Sequence, residues 1–352
     1  MKVALLLGYT SDFRTIADGL ADLERAGLDQ VWVPEPYGFD AFSQLGYLAA
    51  RTRRVEIGTA IVNVFSRTPA TIAMSAAGCD YLSDGRFNLG LGASGPQVVE
   101  GFHGVPFRSP LQRTREYIES CRTIWRREPY AFDGRTVQAP LRAPEGSGLG
   151  VPLKLVQHPV RPDIPIWWAS LKAGSVAATA EVADGWLPTM FWPERAGEIW
   201  GVPLAAGRER RSPRLGPLQI AAGGQLCVGE EFVGTRRADA LEPARAHTAL
   251  YVGGMGSRGE NFYHDLFCSY GFESVARQVQ DRFLGGDRRG AAGLVPDAWL
   301  SATNLVGPPG QVRERVAAYR AAGVTSLLVT LGAADRIGRL TQIERLRAIV
   351  DG

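Results

Sequence analysis

The feature that most constrains this chain is an alternation, repeated eight times, between short apolar runs and longer amphipathic stretches. The apolar runs are Val3 to Gly8, Gln30 to Glu35, Val55 to Val62, Arg86 to Ala93, Pro165 to Leu171, Gly185 to Met190, Leu218 to Val228 and Thr325 to Leu331. Several are near-continuous, as in parallel strands covered on both faces. Between them a helical period runs over Asp12 to Ala26, Asp40 to Arg51, Pro69 to Leu82, Leu111 to Arg127, Ala173 to Ala183, Pro193 to Arg210, a long region across Ala238 to Phe283, and Pro309 to Ala322. Pro69 and Pro309 suit a first helical turn, and Gly27 and Gly323 suit a C-terminal cap. The pattern predicts an α/β fold, a closed (β/α)8 TIM barrel, with an open doubly wound sheet as the fallback. All 352 residues then form one domain, 1–352. Glu128 to Asp163, after the fourth helix, and Val233 to Val295, after the seventh strand, exceed a minimal barrel and are expected to cover its mouth or form a subunit interface.

At 45% hydrophobic and 21% charged residues the chain has the balance of a globular protein rather than a disordered or fibrous one. A net charge of +3, mixed in sign, argues against a nucleic-acid partner. Cys79, Cys121, Cys227 and Cys268 are far apart in the chain, so neither a metal site nor a disulfide framework is indicated. The apolar run after Lys2 is too short for a signal peptide and no run is long enough to span a membrane, so a cytoplasmic protein is expected.

Gly90 to Gly95 fits the G-x-G-x-x-G dinucleotide pattern. That fingerprint needs a helix starting inside the glycine run, whereas Pro96 and a second glycine-containing stretch, Gly101 to Gly104, follow here. The segment reads instead as a strand end whose backbone a ligand approaches closely, or as a tight connection without a ligand.

In a barrel the reactive face lies at the carboxyl ends of the strands. Those ends carry Gly8, Glu35 to Tyr37, Ala60 to Asn63, Gly92 to Gln97, Ala169 to Leu171 and Pro188 to Met190, among which few side chains ionise. No Ser-His-Asp set, facing carboxylate pair or histidine cluster is among them, which favours chemistry supplied by an organic cofactor. Glu35 is the first candidate for proton transfer, because apolar neighbours at the strand end raise a carboxyl pKa; the alternative is that it caps a helix or pairs with an inner arginine. Asp40 suits an N-cap. Tyr37 and Asn63 are candidates to bind a ring or substrate or to make loop hydrogen bonds, and His103 is a substrate contact or part of its loop. His158, His247 and His264 look isolated and structural, and Trp167 and Trp168 look like core.

Three stretches, VWVPEPYGFDAFSQLGYLAART at Val31 to Thr52, LGLGASGPQVVEGFHG at Leu89 to Gly104, and ATAEVADGWLPTMF at Ala178 to Phe191, resemble the bacterial-luciferase-like monooxygenase superfamily. The SGPQVVEG run is similar to the branch that uses the deazaflavin coenzyme F420 in place of FMN, and YVGGMGSRGENFYHDL at Tyr251 to Leu266 extends the likeness. The resemblance implies a flavin or deazaflavin ring over the strand ends, next to a non-prolyl cis peptide at Ala60-Ile61, with Gly8 and Val62 beside it. It implies that Gly92, Ala93, Ser94, Gly95, Gln97 and Val98 meet the ring edge and polyol chain. Ala169, Ser170, Leu171, Lys172, Ala173 and Gly174 would hold the phosphate at a helix N-terminus. The implied activity is hydride transfer between C5 of F420 and a small-molecule or peptide-borne organic substrate, by reduction of a C=C or C=N bond or oxidation of an alcohol. An FMN-dependent monooxygenase and a non-catalytic coenzyme-binding scaffold are the alternatives. A homodimer with no membrane or nucleic-acid partner is expected.

Overall fold

The computed structural model describes residues 1–9 and 13–352; Asp12, where the first helix is expected to start, lies outside them. The eight apolar runs form eight parallel strands: Lys2–Leu6, Gln30–Val33, Glu56–Thr59, Phe87–Gly92, Ile166–Trp168, Gly185–Trp186, Gln219–Ala222 and Ser326–Leu331. Each pairs with the next, and Lys2 to Leu5 pair with Ser326 to Val329 to close the barrel. Side chains along one strand face opposite sides, so Leu89 and Leu91 pack outward under the helices while Asn88, Gly90 and Gly92 face the barrel interior.

Two tryptophans fill that interior. Trp32 and Trp167 meet edge to face with ring centres 5.1 Å apart, in a cluster with Ala4, Leu187 and Ala221. Glycines on neighbouring strands make the space: a Cβ at Gly58 would lie 2.6 Å from the Trp32 ring, and one at Gly185 would lie 2.1 Å from the Trp167 ring. Trp168 is buried on the other side, beneath the helices. At the amino ends of the strands Glu56 accepts from Lys2 (2.5 Å), Gln30 (2.6 Å) and Asn88 (3.2 Å), which closes the floor with polar contacts.

Two expected strands are interrupted. The run from Val55 divides into Glu56–Thr59 and Val62–Asn63, and the Ala60-Ile61 peptide between them is cis. The run from Leu218 divides at Gly223 and Gly224 into the barrel strand and Gln225–Val228. A Cβ at either glycine would lie 2.2 Å from a neighbouring carbonyl oxygen, that of Leu328 or of Thr303, so only glycine passes there. Gln225–Val228 then pairs with Leu305–Gly307, a strand outside the eight apolar runs.

The expected helices are present around the barrel. Thr68 caps Pro69–Leu82 by accepting from Thr71 N (3.2 Å), while Gly27 and Gly323 follow their helices with φ of +99° and +84°. The long excursion resolves into Gly234–Gly254, Phe262–Ser269, Glu273–Leu284, Arg288–Gly293 and Asp297–Thr303, and a terminal helix, Arg336–Asp351, closes the ring. The other insertion carries a small hairpin, Phe132–Asp133 with Gln138–Ala139. Among the described residues no helix is long and apolar enough to cross a membrane.

Candidate functional site

Leu6, Ala60, Ile61 and Ala169, at the carboxyl ends of the first, third and fifth strands, pack on one interior cluster, and Ala60 N donates to Val33 O at the end of the second. Ala60 and Ile61 are half-buried and pack on the interior cluster, whereas Val62 and Asn63 are buried. Ile61 lies over Gly92, where a Cβ would come within 2.9 Å of its Cγ1. Ile61 thus occupies the space that the missing Gly92 side chain leaves. Asn63 Oδ1 accepts from Phe65 N (2.8 Å), which orients the amide and leaves its buried Nδ2 without a protein partner. An unpaired buried donor costs free energy, and a ligand acceptor at this position would relieve it.

Beyond Gly92 the chain passes through half-buried Ala93 to exposed Ser94, which adopts φ of +59°. A short helix, Pro96–Gly101, starts directly after Gly95, which corrects the expectation that no helix follows the glycine run. It is one and a half turns long and proline-initiated, too short to leave a helical period in the sequence. Gln97 is exposed, with its Oε1 3.3 Å from the position of a Cβ on Gly95, and Val98 O accepts from the backbone N–H groups of Phe102 and His103. Gly8 is exposed at the end of the first strand.

The loop after the fifth strand is held from behind. Ala169 N donates to Leu91 O (2.9 Å), the Ser170 hydroxyl is bound to that of Thr179 (2.8 Å), and the indoles of Trp186 and Trp200 donate to the carbonyls of Ser170 (2.9 Å) and Leu171 (3.0 Å). The Ser170 hydroxyl is thus engaged inside the protein. Lys172, in extended conformation, then starts Ala173–Val182, a ten-residue helix with no side-chain cap, and Ala173 and Gly174 are exposed. Its first amides are orphan donors beside the positive end of the helix dipole, a setting that suits a phosphate. The Lys172 ammonium sits 4.1 Å above the Phe262 ring, which ties this loop to the helical excursion.

Glu35 does not have the apolar surroundings expected of a proton donor. Arg67 donates to both of its oxygens (2.5 and 2.9 Å), and Ala41 N donates to one (2.8 Å). The carboxylate therefore fixes the loop to the start of Ala41–Arg51. Asp40 caps the same helix through Ser43 N (2.6 Å) and also accepts from Arg67 (2.5 Å). Tyr37 is 61% exposed, with Phe102 6.2 Å away and His103 edge-on to Phe102 at 5.3 Å, so the structure brings Tyr37 and His103 to one rim.

His247 is not isolated. Its ring lies 4.3 Å from that of Tyr251, whose hydroxyl is 2.6 Å from that of Tyr9; Tyr263 meets Tyr251 edge-on at 4.6 Å. Tyr9 follows the first strand, so these residues of the excursion stand over the barrel mouth. Burial raises the Tyr9 pKa and holds Tyr251 well above the ordinary phenol range. His247 reaches solvent, yet the protein around it desolvates the imidazole and pushes its pKa down to about 4. The only trace of this cluster in the sequence is the four-residue spacing of His247 and Tyr251 on one helix, which does not show what that helix faces.

Residues 2–326 match the family described as luciferase-like monooxygenase. A Mycobacterium tuberculosis protein named as a putative coenzyme F420-dependent oxidoreductase is 38% identical over 348 residues, covering 97% of this chain and 99% of that one. The 5,10-methylenetetrahydromethanopterin reductase of Archaeoglobus fulgidus is 25% identical over 307 residues, covering 87% of this chain and 86% of its own. The coenzyme F420-dependent tetrahydromethanopterin reductase of Methanopyrus kandleri has the same fold, with a TM-score of 0.80 at 20% identity and coverage of 99% of this chain and 98% of that one.

Proposed function

Because the chain belongs to the luciferase-like monooxygenase family, we propose that it is an oxidoreductase that uses coenzyme F420 to reduce a C=C or C=N bond of an organic substrate. The observation that carries this reading is the uncapped start of Ala173–Val182, held by two indoles on the same barrel face as the Ala60-Ile61 bulge. When bound, the reduced deazaflavin supplies a hydride at C5. The chain supplies positioning: the amides of Ala173 and Gly174 for the phosphate, the 92–98 segment for the polyol, and Ile61 with the free Nδ2 of Asn63 for the ring. The full-length relative named for F420 supports a deazaflavin rather than FMN.

Titration of the tryptophan fluorescence tests the reading. Eight tryptophans, among them Trp168 and Trp186 next to the phosphate loop, report on ligand binding. F420 is expected to quench with a micromolar constant and FMN far more weakly. Tight FMN binding without F420 binding would replace this reading with the oxygen-using monooxygenase.

A further inference from the structure

Exposed aromatic rings gather on one end of this molecule. Of the six exposed phenylalanines and tyrosines among the described residues, Tyr9, Tyr37, Phe39 and Phe102 lie on loops at the carboxyl ends of the first, second and fourth strands, and Tyr47 and Tyr81 lie on outer helices. Such a concentration of accessible apolar surface marks a binding site more often than chance.

From this placement we infer that Tyr9, Tyr37 and His247 form the walls, and the Tyr9–Tyr251 hydroxyl pair the polar anchor, of a site for a flat, uncharged substrate bearing a carbonyl-type acceptor. The inference rests on the proposed reduction for its chemistry, but not for its binding.

Three observations carry it. The first is the count of protons on the hydroxyl pair. The two phenols are 2.6 Å apart and one hydrogen bond joins them, which uses one of their two protons and leaves the other O–H to donate elsewhere. Tyr9 is 52% exposed as a residue, and its hydroxyl, desolvated against buried Tyr251, stands at the edge of that exposed ring, so a ligand lying on the ring lies next to the spare donor or acceptor of the pair.

The second is that the cluster is fixed in advance. Asn261 is 2% exposed and uses its whole amide: Nδ2 donates to the carbonyls of Tyr251 and Val252 (both 3.0 Å), and Oδ1 accepts from the amides of Tyr263 and His264 (2.9 and 3.1 Å). The end of one helix and the start of the next are thereby clamped, with the two tyrosine rings in edge contact. A site ordered before binding loses less entropy on binding.

The third is charge. Among the described residues the rings in contact here are phenols and an imidazole, His247 on Tyr251 and Tyr251 on Tyr263, and burial pushes the His247 pKa down to about 4, so these rings carry no charge at pH 7. A substrate anion placed against these rings would lose hydration without gaining a counter-charge from them.

The test is direct titration of the full-length protein, with and without F420, using two probes of one skeleton: trans-4-phenylbut-3-en-2-one and its ring para-carboxylate. The neutral enone is expected to bind at least about tenfold more tightly than the carboxylate. Tyr251→Phe is expected to weaken the enone by about three- to tenfold, the loss of one neutral hydrogen bond, without changing the F420 constant. His247→Lys is expected to raise affinity for the carboxylate. Equal binding of the two probes, no binding of the enone, or indifference of the enone to Tyr251→Phe overturns the inference. Failure of F420 to bind, with the probe preferences intact, removes the coenzyme reading and leaves this site standing.

Discussion

A single hydroxyl, that of Thr59, both accepts from the Gly90 amide and donates to the Gly90 carbonyl, each at 2.8 Å. The ladder between the third and fourth strands is interrupted at this level, and the side chain takes the place of the missing backbone partners. Gly90 is required in return, since a Cβ there would lie 1.8 Å from Thr59 O. The Ala60-Ile61 segment departs from the barrel wall immediately beyond this contact.

Thr59→Val keeps the shape of the side chain and removes both bonds, leaving two buried backbone groups unpaired. The expected loss of stability is about 2–4 kcal/mol by denaturant unfolding, with Thr59→Ser close to the parent. Gly90→Ala is expected to abolish soluble expression, because the obstacle is backbone rather than a mobile side chain.

Glu35 ties its loop to Arg67 and to the Ala41 amide. Glu35→Gln breaks a paired contact between side chains that are only 10% and 19% exposed, and is expected to cost about 1–3 kcal/mol of stability. The shape of the pH–rate profile is expected to stay the same. Disappearance of one limb of that profile would return Glu35 to the role of acid or base.

Ala173→Pro tests the phosphate site without disturbing the helix. Lys172 already has φ −72° and ψ 144°, the conformation favoured before proline, and proline suits the first helical position. The substitution removes one N–H from the helix start. F420 affinity is expected to fall by about ten- to thirtyfold, the value of one charge-assisted hydrogen bond, with an unchanged melting temperature. Calorimetry of binding and of unfolding reads the two quantities separately.

Glu24 is one contributor to the acid limit of stability. Burial acts to raise its pKa, but the backbone N–H groups of Val55, Arg54 and Arg53 outweigh that and hold the carboxyl below its ordinary value. A depressed folded pKa gives stability that is fully present above the unfolded value of about 4.3 and lost as pH falls through the folded one. Glu24→Gln is therefore expected to lower stability at pH 7 and to flatten its decline below about pH 4.5. An unchanged acid limb in the pH dependence of unfolding would refute this assignment.

The barrel was legible because burial on both faces forces long apolar runs, and those runs number eight. Helix ends marked by Pro69, Gly27 and Gly323 were legible for an equally local reason: proline's ring presets the φ of a first helical turn, and glycine alone takes the positive φ of a C-terminal cap without strain. What stayed hidden depends on which elements meet. Arg67 lies 32 residues from Glu35, and Tyr251 lies 242 from Tyr9, so neither pairing leaves a local pattern. Gly90 and Gly92 stood out in the sequence, but their neighbours, Thr59 O and Ile61, come from another strand. The glycines read as space for a ligand when they are space for the chain itself.

The most direct test of the account is the position of the phosphate in a crystal structure of the protein with F420. Phosphate density is expected at the amides of Ala173 and Gly174, with the deazaflavin ring against Ile61. Phosphate bound elsewhere, or a ring placed away from the Ala60-Ile61 segment, would contradict it.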